Sequence, residues 1–351
     1  MSVDPAAGRA ACRFGLFLNM GANLAARPEE IFAFTLEQAD LAERLGLHDL
    51  WLSEHHFIPF GLDPSALTAA GFLLGRTRRL RVGTAVVLAP LLEPIDLAER
   101  AALLDQMSGG RFDLGLGRGG YLRDYEVFGV DTKRWDEEPV RSLSTLLDLW
   151  SGNEERRARV DVGGAMRVEP QPFSPQGPPL FAATSSPGGL AFAARNGLPL
   201  QHYFAMPAQG RVAVEAQYEK ERPDAVDPPE HLHTLIVHVT SEPDRDRERL
   251  REALTTSFQD GDWPAVPGAE GRHRDADGNP VDRAAMATGV ADGAILGDPQ
   301  QVAEALRAFI DTTGARRIAL YAEAIADREA TLASIERFAK EVAPRLQGGM
   351  G

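Results

Sequence analysis

The sequence predicts a closed (β/α)8 barrel, and three observations predict it. Apolar strand-like runs alternate with segments of helical periodicity, which is the sign of a parallel sheet wrapped by helices. The alternation gives about eight strands, most of them separated by helices. A chain of 351 residues then has the length to close them into one barrel rather than an open sheet.

The first strand is "FGLFL" (14–18), followed by a helix that Pro28, Glu29 and Glu30 open. Phe32, Leu36, Ala39, Ala42 and Leu45 recur there at helical spacing, and Gly46 supplies a stop. "DLWLS" (49–53) with a helix from Pro64 to Leu74 makes the second unit, and "LRVGTAVVL" (80–88) with a helix from Ile95 to Met107 the third. The fourth strand, "RFDLGLG" (111–117), leads into a long segment containing a helix near 139–150. "PLFAAT" (179–184), "LPLQHYF" (198–204) and "LHTLIVHVT" (232–240) follow as strands, with helices around 189–195, 209–220 and 243–257. A helix at 299–312 precedes the last strand, "RIALYAE" (317–323), and a helix near 327–343 closes the chain.

Two stretches break this rhythm inside what reads as a single domain, 1–351. Residues 151–178 have room for a small hairpin before a proline-rich approach to the fifth strand. Residues 260–292 are polar and rich in Gly, Asp and Pro, and so long a loop within one domain is expected to be either a mobile lid or a disordered segment.

Composition narrows the function classes. The balance of 44% hydrophobic and 25% charged residues is that of a soluble globular protein, and no run approaches the ~20 apolar residues of a membrane helix. The apolar part of the N-terminal segment is short and reads as a first strand rather than the core of a signal peptide, so a cytoplasmic location is expected. Cys12 is the only cysteine, which excludes an internal disulfide and a cysteine-cluster metal site. A formal charge of −14 opposes general nucleic-acid binding, so the expected partner is a small molecule.

Two short sequences carry chemistry. In "FDLGLGRGGY" (112–121), Gly115, Gly117 and Gly120 satisfy G-x-G-x-x-G after a strand. A dinucleotide fingerprint also needs a helix opening at the last glycine and an acidic residue about 20 positions on. "YLRDYEVFGVDTKRW" lacks a convincing amphipathic run, the acidic residues near 136–138 sit in a charged segment, and the turn closes the fourth unit instead of the first. Two readings remain. Either the glycines bring backbone close to a single phosphate on a barrel rim, with Arg118 as a guanidinium fork, or they only make a tight turn beside a solvated arginine.

"WLSEHHF" (51–57) lies at the C-terminal end of the second strand, the face where barrel active sites are built. Adjacent residues on an extended chain point opposite ways, so His55 and His56 do not readily share a ligand. A histidine in the mouth has the chemistry of a general acid or base or an anion stabiliser; the alternative is a pair hydrogen-bonded to loop backbone. No metal is expected: Glu54 with the two histidines is a poor ligand set, and His231 with His233 lacks an evident third ligand.

The stretches "LWLSEHHFIPFGL", "LRVGTAVVL", "AALLDQMSGGRFDLGLGRGGYLRDYEVFGVD" and "GLPL", with "LGDPQQVAEALRAFIDTTGARRIALYAE" further on, resemble the luciferase-like flavin monooxygenases. The resemblance is closest to the bacterial luciferase α subunit. It implies a (β/α)8 barrel that takes reduced FMN from a separate, transiently bound flavin reductase. Oxygen then adds to the flavin to form a C4a-peroxide, which oxidises a small organic substrate such as an aldehyde, ketone or natural-product intermediate.

By the same resemblance, His55 matches the catalytic histidine and His56 its neighbour. Arg118 matches the arginine that binds the FMN phosphate, flanked by Gly117, Gly119, Gly120 and Tyr121, and Ser185 and Ser186 add phosphate contacts. Ala85 and Val86 match a pair joined by a cis peptide beneath the isoalloxazine ring. Gly117 departs from the pattern: the luciferase α subunit has a reactive cysteine there, and glycine is expected to leave room for a larger substrate or a different flavin tilt. A homodimer is expected as well, because the family pairs subunits through barrel helices; the small-residue-rich helices at 64–75 and 95–107 allow close packing, and packing against the barrel itself explains their alanines equally well. The alternatives are a deazaflavin-dependent dehydrogenase of the same barrel family and a non-catalytic flavin-binding subunit.

Overall fold

Alternating apolar strands and amphipathic helices fold as their pattern requires, with the strands inside and the helices around them. The computed structural model describes residues 12–21, 26–58, 60–160, 162–163, 167–260 and 282–347. Arg13–Leu18 (β1) is followed by Pro28–Leu45 (α1), Asp49–Leu52 (β2), Ala66–Arg76 (α2), Arg81–Thr84 (β3), Val87–Leu88 (β4), Pro94–Ser108 (α3) and Phe112–Gly117 (β5). Then come Leu122–Phe128 (α4), Arg134–Leu149 (α5), Glu154–Arg157 (α6), Leu180–Ala182 (β6), Pro187–Arg195 (α7), Gln201–His202 (β7), Ala208–Glu221 (α8), Leu232–Leu235 (β8) and Val237–Val239 (β9). Pro243–Asp260 (α9), Arg283–Gly293 (α10), Ile295–Gly297 (β10), Pro299–Thr313 (α11), Arg317–Leu320 (β11) and Arg328–Arg337 (α12) complete the main elements. The last helix runs on through a wider turn at Phe338–Val342 into Ala343–Gln347.

Among the described residues every strand pairing is parallel. β1 lies between β11 and β2, β3 joins β2 to β5, and β5 passes to β6. A parallel bridge from Ala182 to Leu200 carries the sheet to β7, and β8 joins β7 back to β11. The eight-stranded barrel therefore closes.

Its floor is polar. Arg317, on β11, sits 2.8 Å from Asp49 and 2.5 Å from Asp113, with its guanidinium over the Trp51 and Phe181 rings, and Arg81 pairs with Asp113 as well. Burial alone would raise the Asp49 carboxyl, but Arg317 and His48 outweigh it and hold the group at about 2. Glycines make room for this filling. A Cβ on Gly15 would lie 1.8 Å from Asp49, one on Gly83 2.4 Å from the Trp51 ring, and one on Gly115 2.1 Å from the Thr84 carbonyl.

Local structure departs from the sequence reading in five places. The strand read at 80–88 breaks at residues 85–86, leaving β3 and β4. The strand read at 232–240 leaves the barrel after Leu235, because Val237–Val239 pairs with Ile295–Gly297, a strand too short for any periodicity. A helix opens at Leu122 directly after the glycine turn, and the next helix starts at Arg134 with Pro139 inside it. No hairpin ladder lies among the described residues of 151–178, which hold instead the helical turn α6. Of the loop expected at 260–292, Asp260 ends α9 and 283–293 is helix α10 packed against α9; residues 261–281 of the expected lid lie outside the described residues.

Candidate active site

The C-terminal ends of the strands form the mouth of the barrel, and buried hydrogen bonds fix its rim. Glu323, just past β11, accepts from the backbone N–H groups of Asn19 and Met20 and from Gln38 Nε2 at 2.9 Å. Asn19 in turn donates to the Phe60 carbonyl at 2.6 Å and accepts from Ser53 at 3.0 Å. One network thus ties the ends of β1, β2 and β11 to α1. Beside it Phe17, Tyr321 and Phe204 make an aromatic wall, with ring centroids 5.1 and 5.2 Å apart.

The segment after β2 separates into three roles. Glu54 is buried, and its two oxygens accept from Ala66 N at 2.9 Å and Leu88 N at 3.0 Å. It therefore braces the start of α2 against the segment that follows β3. Burial pushes its carboxyl up to about 7 in spite of those two donors. Both its oxygens thus accept from backbone N–H groups.

His55 faces Phe60 and Tyr121, at centroid distances of 6.0 and 6.4 Å. Its Nδ1 is buried with no hydrogen-bond partner among the described residues. Burial, with a smaller contribution from His56, lowers its pKa from 6.5 to about 4. The ring is neutral at physiological pH, so it offers a lone pair and one N–H, whereas the sequence alone suggests a charge that switches near neutrality. Gly61 presses against it: an added Cβ would stand 2.4 Å from Nδ1. His56 points elsewhere, edge-on to Phe128 at 4.9 Å and beside the exposed Phe57.

On the adjacent strand end, where Ala85 N donates to the Leu52 carbonyl at 2.6 Å, the peptide bond between Ala85 and Val86 is cis. Gly117 ends β5 directly against this pair. A Cβ there would lie 2.6 Å from Val86 Cγ2 and 3.4 Å from the Ala183 Cβ. The room expected from the missing cysteine side chain is therefore filled by valine, and Gly117 opens no extra space.

The rim turns polar beyond Gly117. Arg118 stacks its guanidinium 5.0 Å above the centroid of the Trp135 ring, on α5, and Tyr125 Oη donates to its carbonyl at 3.0 Å. Gly119 takes φ of +81°, a left-handed conformation suited to glycine, and around Gly120 a Cβ would meet nothing within 4 Å. Tyr121 is buried against His55 and Phe60. The next loop round the rim follows β6, whose Ala182 is in register with Leu116. There Ser185 and Ser186 are exposed, and the Ser186 hydroxyl accepts from Gly189 N at 3.2 Å as the cap of α7.

Register thus sets the loops bearing Arg118 and Ser185–Ser186 side by side, with His55 and the 85–86 pair around the mouth. Sequence reasoning missed the brace at Glu54, the Asn19–Glu323 tie, Gly61 and the Trp135 platform. Gly61 meets His55 from across a loop, and the Glu54 and Asn19 partners lie 12 to 304 residues away in the chain, so no local pattern announces them.

Residues 12–317 match the family described as luciferase-like monooxygenase. The chain belongs to that family. Family members similar to it include the 4-hydroxyprotoasukamycin monooxygenase of Streptomyces nodosus subsp. asukaensis, 30% identical over 96% of this chain and 93% of the relative. The alkanal monooxygenase alpha chain of Photorhabdus luminescens is 27% identical over 91% of this chain and 92% of the relative. The oxygenase component of the flavin-dependent trigonelline monooxygenase of Acinetobacter baylyi is 31% identical, but the match spans 54% of this chain and about half, 53%, of that relative.

Solved structures share the fold. A monooxygenase from Streptomyces bottropensis superposes with a TM-score of 0.78 at 22% identity, covering 95% of this chain and 99% of the other. The oxygenating constituent of 3,6-diketocamphane monooxygenase from Pseudomonas putida, solved with FMN, gives 0.74 at 19% identity, covering 95% and 98%. An F420-dependent secondary alcohol dehydrogenase gives 0.70 at 18% identity, covering 96% and 99%.

Proposed function

We propose that this chain is the oxygenase component of a two-component monooxygenase, taking reduced FMN from a separate flavin reductase and using it with dioxygen to oxidise a small organic substrate. The observation that carries the reading is the pairing of an arginine-bearing glycine turn on the rim with a neutral, inward-facing imidazole whose buried Nδ1 has no hydrogen-bond partner among the described residues. The residues fit the cofactor. Arg118, the backbone of Gly119 and Gly120, and Ser185 and Ser186 would hold its phosphate, an anion suited to a guanidinium and free backbone N–H groups. Ala85, Val86, Gly117 and Tyr121 would border its ring.

When bound, reduced FMN supplies the two electrons that activate dioxygen. His55, held neutral, donates from one ring nitrogen and accepts at the other, which suits it to hold or move a proton beside the reacting atoms. The aromatic wall of Phe17, Tyr321 and Phe204 keeps water from that chemistry. Two relatives support the reading by name: one is the oxygenase component of a flavin-dependent enzyme, and one was solved with FMN. An aldehyde, a ketone or a natural-product intermediate suits such a site.

The second reading, hydride transfer with a deazaflavin, is favoured by the shared fold of the F420-dependent dehydrogenase. Turnover with chemically reduced FMN, oxygen and a panel of alkanals, cyclic ketones and polycyclic phenols separates the two. Oxygen uptake with a product one oxygen atom heavier supports the proposal. No uptake, with alcohol-dependent reduction of F420 instead, overturns it.

A further inference from the structure

The outer wall of the barrel carries a second cluster, away from the mouth. Gln201 turns inward, where its amide donates to the Thr84 carbonyl at 2.9 Å, so the next residue on β7, His202, turns outward. Parallel register places His202 beside His233 on β8, and their rings stack with centroids 4.9 Å apart. From the covering helix α8, Glu215 Oε1 reaches to 2.8 Å from His202 Nε2 and 3.6 Å from His233 Nε2.

Both imidazoles are closed off from solvent, with His202 3% and His233 1% exposed. His202 Nε2 and Glu215 Oε1 are nevertheless buried without a hydrogen-bond partner among the described residues, because their mutual geometry does not form one. Buried polar atoms are rarely left so, and an unpartnered one aimed at others of its kind points to a missing ligand. An open cleft of about 440 Å3, lined in part by Glu215, Glu219, His231 and His233, leads to the cluster from outside.

We propose that His202, His233 and Glu215 bind a divalent transition-metal ion of the zinc class. Two imidazole nitrogens and a carboxylate oxygen are a ligand set this class favours. Zinc bonds of ~2.0–2.1 Å at tetrahedral angles set ligand atoms about 3.3 Å apart, and the observed separations of 2.8 and 3.6 Å lie on either side of that value. Glu215 and His233 also line the cleft, from which a water would supply the fourth ligand. Arg211, one turn before Glu215, is a nearby cation; its Nε and Nη2 are bound to the carbonyls of Met206, Tyr203 and Thr234, and its Nη1 is buried without a partner among the described residues. The ion would pin α8 to the β7–β8 pair and leave the mouth chemistry untouched.

The test titrates the full chain, stripped with a chelator and exchanged into clean buffer, with zinc chloride against a chromophoric competitor. Wild type, E215Q and H233Q are compared, with circular dichroism reporting their folding. One zinc per chain in the wild type, weakened at least ~10-fold in both variants, is expected, with a zinc-dependent rise in unfolding temperature that both variants lose. No stoichiometric binding by the wild type, or equal binding by the variants, overturns the proposal. Should the variants fail to fold, X-ray absorption of the cobalt(II)-loaded wild type decides: two imidazoles in the first shell support it, and a shell without imidazole overturns it.

Discussion

His55 shows how a single side chain takes its chemistry from what surrounds it. Phe60 and Tyr121 strip water from the ring, Gly61 fits against Nδ1, and the imidazole is held neutral with a pKa of about 4. The unfolded chain would protonate it near 6.5, so between that value and about 4 the unfolded state binds the extra proton. The stability this group contributes is therefore complete above about 6.5 and lost as pH falls towards 4, by up to about 3 kcal/mol. Denaturant unfolding of H55N across that window should show a shallower pH dependence than wild type; equal slopes would mean that the ring titrates normally. The "EHH" motif and Arg118 were legible in the sequence because each follows a strand at the active face of a barrel. Neutrality was not, since it depends on Phe60, Gly61 and Tyr121 closing in from two separate loops.

At the scale of elements, the segment after β3 is held from outside itself. Glu54 accepts from the first residue of α2 and from Leu88, so one carboxylate joins three elements. E54Q keeps the shape but turns an amide NH2 towards one of those N–H donors. It should lose about 1–3 kcal/mol in denaturant unfolding, the cost of a buried donor left unpaired. A variant as stable as wild type would show that Glu54 braces nothing. The sequence made most elements readable, because α1, α3 and α11 repeat their buried positions at helical spacing. It failed where elements are short or interrupted. The seven-residue α4 and three-residue β10 give periodicity too little to work with, and the broken strand at 80–88 reads as continuous since Ala85 and Val86 are as apolar as their neighbours. Gly117 looked like vacant space; only the fold shows Val86 occupying it.

Across the whole molecule, the closed barrel gathers loops from distant parts of the chain into one mouth and leaves large apolar side chains exposed among polar ones on α2 and α3. Phe72 on α2 and Leu103 and Met107 on α3 are 62%, 48% and 78% exposed, large values for such side chains, and they mark the face through which we expect two copies to pair. Light scattering after size exclusion should give a dimer for wild type and a monomer for F72E/M107E; a wild-type monomer would remove that expectation. The barrel itself was legible from the alternation and length, whereas the polar floor of Asp49, Asp113 and Arg317 was not, because its members come from three strands far apart in the chain. The account as a whole depends on a mononucleotide seated at the rim by Arg118. Anaerobic titration with reduced FMN tests that most directly: R118A should weaken binding by about 10- to 100-fold, the loss of charge-assisted hydrogen bonds to a phosphate, and an unchanged affinity would contradict it.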